Sequence, residues 1–390
     1  MKNKYLTRFK FKFNCLNVNK HISSYLYGLR SYEDIKPLRL LIHPSGKCND
    51  SCKYCKRNTD PKIEPDFFGN RDYIDKLARD VEELGIKDIH MLGGGEPFFY
   101  KDNMFYFLER LRNVDTHTRI ITNGKNLNDS DISSIVKDEL VSNLNITQST
   151  DSEEMAGKLY QNKERHTHTI SLLGNILKYK KLYNKKFPQI DIMFVLSNLN
   201  YNKIDKIISM LKELKVNYFF MQPLRIDCDD YKELDLSEEQ KKEFLVKIPE
   251  TKRLLQKANI VSNINDFEVN DDFITDSRDY KSVIPDTILT GRHLKIGCYF
   301  PLTTIAIHHD GIIPKCYFNK PLFDRNYFSI SSLKEEIRSA GYLDFVKNFV
   351  GGNCLSSCDG CRICILNEMR EIKKDFINFK KKNDILVNCP

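Results

Sequence analysis

Short apolar runs alternate with segments of helical periodicity through the first 225 residues. The apolar runs at 38–43, 88–92, 119–122, 143–148, 191–196 and 217–222 have the length and character of strands. Between them, apolar residues recur on one helical face, as at Ile74, Leu77, Val81 and Leu84, and at Ile204, Ile207, Ile208, Leu211 and Leu214. Six strand–helix repeats in series predict an α/β fold with a parallel sheet and right-handed crossovers. Six repeats are too few for a complete eight-stranded barrel.

The pattern changes after residue 225. Ser237-Glu238-Glu239-Gln240 reads as a capping box opening a helix that runs to about Ile248. The expected division is an N-terminal extension packed on the core (1–36), the strand–helix core (37–225), a connecting helical region (226–295) and a small cysteine-rich C-terminal domain (296–390).

Composition narrows the function classes. The net charge of +8 over 390 residues is scattered, and the Lys380-Lys381-Lys382 run reads as a solvated helix end. Basic and aromatic residues do not interleave as on a single-strand nucleic-acid platform, so no nucleic-acid partner is expected. No apolar run is long enough to span a membrane, and no secretory signal pattern opens the chain. A cytoplasmic location is therefore expected, where clustered cysteines serve metals rather than disulfides.

The cysteines carry the chemistry. Cys48-x3-Cys52-x2-Cys55 follows the apolar run 38–43 and the loop Ser45-Gly46-Lys47, at the strand end where open α/β sheets and barrels place their sites. Three thiolates fall one short of the four-sulfur ligation usual for an iron–sulfur cluster and would leave one iron open. The alternative is a zinc site completed by a further ligand. One strand later, Met91-Leu92-Gly93-Gly94-Gly95-Glu96-Pro97 places consecutive glycines where backbone approaches a ligand closely.

Together these two loops resemble the radical S-adenosylmethionine (SAM) superfamily. The resemblance implies a partial (βα)6 TIM-like barrel with a [4Fe–4S] cluster on Cys48, Cys52 and Cys55, whose open iron binds SAM. Electron transfer would cleave SAM to methionine and a 5′-deoxyadenosyl radical that abstracts a hydrogen atom from the substrate. Tyr54 fits the family's aromatic preference before the third cysteine. Gly94, Gly95, Glu96 and Pro97 match the motif that contacts the methionine amino group of SAM. Asn123 lies in Thr122-Asn123-Gly124, a sequence found after strand three in many relatives. Gln148 and Ser149, with Thr147, and Asn198, with Ser197 and Asn200, end strands four and five, where short polar groups hold the ribose and carboxylate of SAM. Each is equally readable as a strand-end cap or turn residue. Strand four departs from the Ser-Leu-Asp-Gly sequence common in relatives.

The tail holds Cys298, Cys316, Cys354, Cys358, Cys361, Cys364 and Cys389. Asp310-Gly311 reads as a hairpin turn between 303–308 and 312–317, bringing Cys298 and Cys316 to one end. The count and the opening pattern resemble the SPASM/Twitch domains that carry auxiliary [4Fe–4S] clusters, although the later spacings depart from that pattern. By chain order the resemblance implies one auxiliary cluster on Cys298, Cys316 and Cys364 and a second on Cys354, Cys358, Cys361 and Cys389. Cys228 is a fourth ligand or a free core thiol. The alternative for the tail is one or two structural zinc ions. Cys15 reads as a lone buried cysteine, His43 as scaffold, and His308 and His309 as surface or packing residues.

Many relatives act on a peptide or protein side chain, and this is the first expectation for the chain. The alternatives are the same chemistry on a sugar, aminoglycoside or nucleoside, and a non-enzymatic zinc-binding module. Fewer than forty residues precede the first strand, so a peptide-binding winged-helix domain is expected to be absent or supplied by a separate recognition protein. A low-potential donor such as flavodoxin or ferredoxin would reduce the cluster. Position alone nominates Cys228 as hydrogen donor and Asp151 as base.

Overall fold

The computed structural model describes residues 21–22, 24–25, 31–55, 66–224, 229–267, 300–314 and 325–350. Eight strands form one parallel sheet: β1 (Arg39–Ile42), β2 (Asp88–Met91), β3 (His117–Thr122), β4 (Asn143–Thr147), β5 (Gln189–Leu196), β6 (Tyr218–Pro223), β7 (Val261–Ser262) and β8 (Thr304–Ile307). Their order is β7-β6-β5-β4-β3-β2-β1-β8. The first six are the strands expected from the apolar runs, laid side by side in chain order as an open, partial barrel. β8 lies parallel to β1, with Arg39 opposite Thr304 and Ile42 opposite Ile307.

The helices are α1 (Arg71–Leu84), α2 (Lys101–Arg110), α3 (Asp129–Lys137), α4 (Glu153–Tyr160), α5 (Glu164–Leu182), α6 (Ile204–Glu213), α7 (Glu238–Lys257), α8 (Phe300–Thr303), α9 (Leu333–Arg338) and α10 (Ala340–Val350). The Asn70 side chain caps α1, and Gly85 ends it in the left-handed conformation. Its predicted stripe, Ile74, Leu77, Val81 and Leu84, is buried, as are Ile204, Ile207, Ile208 and Leu211 of α6. The Ser237–Gln240 capping box is present. Its helix does not stop near Ile248 but continues through Pro249 to Lys257, because Phe244, Ile248, Thr251 and Leu255 keep one face buried across the proline.

The two faces of the sheet differ. Leu40, Ile42, Ile89, Met91, Ile120, Leu144, Ile146, Ile192 and Phe194 belong to the main apolar core. Their neighbours on the opposite face include Arg39, Asp88, His90, His117, Arg119, Asn143, Asn145 and Asp191. Parallel strands buried on both faces usually read as continuous apolar runs. Along β5 fully buried and half-buried positions alternate strictly, so the two faces of the sheet are unequally covered.

The expected turn after β8 is present: Gly311 has φ +80°, and its N–H donates to the His308 carbonyl at 2.9 Å. Ile312 bridges Asn326 in antiparallel fashion rather than opening a strand along β8, and residues 315–317 lie outside the described segments. The 325–333 segment is fastened to α1. The buried Asp80 carboxylate accepts hydrogen bonds from Tyr327 Oη at 2.6 Å and Leu333 N–H at 3.1 Å. Lys76 Nζ donates to the Tyr327 carbonyl at 2.6 Å and to that of Ile330. Removing one donor to a buried carboxylate leaves an oxygen unsatisfied. Tyr327→Phe is expected to destabilise the fold by about 1.5–3 kcal/mol, checked by the shift of its thermal unfolding midpoint against wild type.

Candidate active site

The loop after β1 is seated by Asp66. Its carboxylate accepts hydrogen bonds from Gly46 N–H at 2.6 Å, Ser45 Oγ at 3.1 Å and Tyr100 Oη at 3.2 Å. Ser45 Oγ in turn accepts from Lys47 N–H at 2.9 Å. The glycine loop after β2 closes the seat. Gly95 N–H donates to the Ser45 carbonyl and Glu96 N–H to the Lys47 carbonyl, both at 2.8 Å. A Cβ on Gly95 would lie 2.0 Å from the Lys47 oxygen, so only glycine fits there. Beside it, the His43 ring stacks on His308 at 5.0 Å, and burial with the nearby His308 and His309 pushes His43 down to about 3.

The far side of the loop crosses to elements that follow β4 and β6. Lys53 N–H donates to the Leu159 carbonyl at 2.9 Å. Cys52 and Tyr54 pack against a small apolar cluster that includes Leu159, Tyr160, Tyr231 and Leu234. Asp50, inside the cysteine motif, is paired with Arg165 of α5 at 3.0 Å, and both side chains are all but inaccessible. The same guanidinium donates to Thr169 Oγ1 and to the Thr147 carbonyl at 3.0 Å, and lies over the Tyr160 ring.

Cys48, Cys52 and Cys55 are free thiols, each partly accessible. Burial pushes the Cys52 thiol up, and the neighbouring Asp50, Cys55 and Cys48 add to the rise. Cationic metal on these sulfurs would reverse it. Among the described residues no three Cys, His, Asp or Glu side chains converge tightly enough for one ion.

The polar strand ends divide into two groups. Glu96, which caps the short helix begun by Pro97, is buried and fully engaged. Its Oε1 accepts from Phe98 N–H at 3.0 Å and Thr122 Oγ1 at 2.5 Å, and its Oε2 from Asn123 N–H at 2.8 Å. Burial raises its carboxyl. Ser149 points into the fold: its hydroxyl accepts from Val195 N–H at 2.8 Å and its N–H donates to Tyr160 Oη at 2.6 Å. Asn200 bridges the Ser149 and Val195 carbonyls. By contrast, Gln148 Oε1, Asn198 Oδ1 and Ser197 Oγ are buried without a partner among the described residues. Gln148 Nε2 is held by Thr150 and by His166 Nδ1 at 3.0 Å. The backbone groups of Gly93 and Gly94 make no hydrogen bond among the described residues.

Asp151 is paired with Lys206 Nζ at 3.2 Å and accepts a hydrogen bond from Ser152 Oγ at 3.1 Å. Cys228 and all seven tail cysteines lie outside the described residues. Sequence reading overlooked Asp50, Asp66, Arg165, Asn49 and Asn126. Only Asn49 and Asp50, within the cysteine motif, stood where attention could have fallen.

Residues 42–211 match the family model described as the Radical SAM superfamily. A 91-residue stretch, 23% of the chain, is 34% identical to a probable GTP 3′,8-cyclase of Methanothermobacter marburgensis, and it spans 28% of that relative. Streptococcus suis SuiB bound to S-adenosylmethionine is similar in structure, with a TM-score of 0.57 and 18% identity over 85% of this chain and 72% of SuiB. SuiB bound to its precursor peptide SuiA gives a TM-score of 0.55, at 18% identity over 86% and 71%. AdoMet-bound anSMEcpe gives 0.54, at 16% identity over 89% of this chain and 98% of that one. At these identities the likeness is one of fold.

The Asp50–Arg165 pair supplies the prediction of this site. Breaking a buried pair by removing one partner strands a charge. Arg165→Met is expected to destabilise the protein by about 3–5 kcal/mol, and Asp50→Asn in the same background to recover most of that loss. Thermal unfolding midpoints of the two single variants and the double variant check it.

Proposed function

From the match of residues 42–211 to the radical SAM superfamily model, we propose that this chain is a radical SAM enzyme that abstracts a hydrogen atom from a peptide or protein side chain in a maturase-like oxidation or cross-linking. The observation that carries the reading is the three-thiol loop, clamped from both sides at the strand ends and backed by the glycine loop. A [4Fe–4S] cluster there supplies, when bound, the electron that cleaves SAM to a 5′-deoxyadenosyl radical.

The chain's own residues divide the remaining work. Cys48, Cys52 and Cys55 would hold the cluster, and Asp66 and Arg165 keep their loop in place. Gly93 and Gly94, with uncommitted backbone groups, would meet the polar end of SAM, while Gly95 and Glu96 hold the loop. Gln148 and Asn198 each bring a buried, unpartnered carbonyl oxygen to a strand end, suited to accept a ribose hydroxyl. Ser149 and Asp151 act as supports. The tail cysteines Cys298, Cys316, Cys354, Cys358, Cys361, Cys364 and Cys389 would hold one or two auxiliary clusters. A flavodoxin- or ferredoxin-type donor, a separate peptide-recognition protein and a cytoplasmic setting belong to the same reading. Among the described residues no helix is long and apolar enough to cross a membrane.

The fold likeness to SuiB, itself solved with a precursor peptide, supports the peptide substrate. The partial match to a GTP cyclase favours a second reading, the same radical chemistry on a nucleotide or other small molecule. That match covers less than a quarter of the chain, whereas the SuiB likeness covers most of it.

The test is anaerobic reconstitution with iron and sulfide, followed by SAM and dithionite, with 5′-deoxyadenosine read by mass spectrometry. Wild type is expected to form it, and Cys52→Ala to form none above a no-protein control. Formation by Cys52→Ala at the wild-type rate would refute the cluster assignment. Cys358→Ala is expected to retain this uncoupled cleavage while losing the mass change in a substrate peptide. Full substrate turnover by that variant would remove the tail from the chemistry.

A further inference from the structure

We infer that Asn123 donates a hydrogen bond to the sulfur of Cys48 and thereby raises the reduction potential of the cluster that Cys48 would hold. The inference deepens the radical SAM reading and rests on it. It starts from a chain of side-chain amides whose direction is fixed at one end. The Phe98 carbonyl can only accept, so Asn126 presents Nδ2 to it, at 3.0 Å. Asn126 therefore turns Oδ1 toward Asn49, whose Nδ2 donates at 2.7 Å. Asn49 in turn offers Oδ1 to Asn123, whose Nδ2 donates at 2.7 Å.

Two further contacts agree with this direction. Asn123 Oδ1 accepts from the Lys125 backbone N–H at 2.8 Å, so the Asn123 amide cannot flip without losing bonds on both sides. The second hydrogen on Asn123 Nδ2 is left for Cys48 Sγ, at 3.9 Å. The residue itself is pinned. Its backbone N–H is held by the buried Glu96, and the next residue, Gly124, turns left-handed at φ +71°, with its Nα–H on Thr122 Oγ1. A side chain on Gly124 would collide with Leu172, 2.3 Å from its Cβ position.

Reduction adds negative charge that cluster sulfurs share, and a donor aimed at a sulfur stabilises that state. Hydrogen bonds to sulfur are among the levers that set cluster potentials. Asn123 is thus a positioning and tuning residue toward the cluster rather than a group that touches SAM.

The experiment is a redox titration of the reconstituted cluster without SAM, followed by electron paramagnetic resonance, with iron and sulfide content measured alongside. Asn123→Ala is expected to shift the midpoint to more negative potential, raising the oxidised-to-reduced ratio about tenfold at a fixed potential, or about 59 mV for one electron. An unchanged midpoint in a fully loaded variant would overturn the inference, as would a variant that only weakens SAM binding. If Asn123→Ala does not load iron, Asn126→Ala decides, because it frees the far end of the amide chain. A smaller shift in the same direction supports the inference and none overturns it. Absence of any [4Fe–4S] signal from wild type would instead sink the radical SAM reading itself.

Discussion

The buried ion pair between Asp50 and Arg165 ties the loop after the first strand to the helix that follows the fourth. An unpaired charge at that depth would be costly, and among the described residues the next opposite charge is Lys125, at 3.9 Å from Asp50. The pair therefore fixes where the cysteine loop lies over the strand ends. The packing of Cys52 and Tyr54 on the small apolar cluster and the Lys53 hydrogen bond to Leu159 accord with that placement. In the proposed function the loop presents three sulfurs and leaves room for a ligand, so a fourth sulfur could not stiffen it from inside. It is stiffened from outside, by Asp66 on one flank and Arg165 on the other.

The glycine loop takes a different meaning once the loop's seating is clear. Consecutive glycines suggest backbone opened to a ligand, and at Gly93 and Gly94 the structure is compatible with that. Gly95 has another duty. Its missing Cβ lets the Lys47 carbonyl approach, and its N–H completes the seat. Glu96 likewise spends both carboxylate oxygens on Phe98, Thr122 and Asn123. The motif thus locks the loops after β1, β2 and β3 together before any ligand arrives.

Most of the frame was legible in the sequence because it rests on local periodicity. The six strands and α1 follow from the spacing of apolar residues, and the start of α7 from the Ser237–Gln240 capping box, all read over a few positions. The fastenings were not legible. Asp50 meets Arg165 across 115 positions, Asn49 meets Asn126 across 77, and Gly46 meets Asp66 across 20. None lies in a spacing that chemistry imposes, so each becomes visible only when the strands are side by side. The extent of α7 was missed for the opposite reason: a local rule, the proline break, yielded to burial on either side of it. β8 was assigned to a separate hairpin because a four-residue apolar strand carries no mark of which neighbour it will pair with.

The polar face of the sheet shows how differently the two ends of the strands are used. Toward the starts of β1, β2 and β3, Arg39, His90 and His117 surround Asp88 at 2.8, 2.8 and 3.3 Å. Burial opposes its charge, yet these neighbours hold its carboxyl well below the usual range. That end is closed by its own partners. Farther along, Asn143 Nδ2 reaches Asp191, but Asn145 Oδ1 and Arg119 Nε are buried with no partner among the described residues. Buried polar atoms without protein partners cost free energy unless water or a ligand satisfies them. A face destined only for packing would have been built apolar, like its reverse side with Ile89, Ile120 and Leu144. Keeping it polar, and incompletely satisfied beyond the Asp88 network, is the arrangement expected where something other than the protein completes the hydrogen bonds.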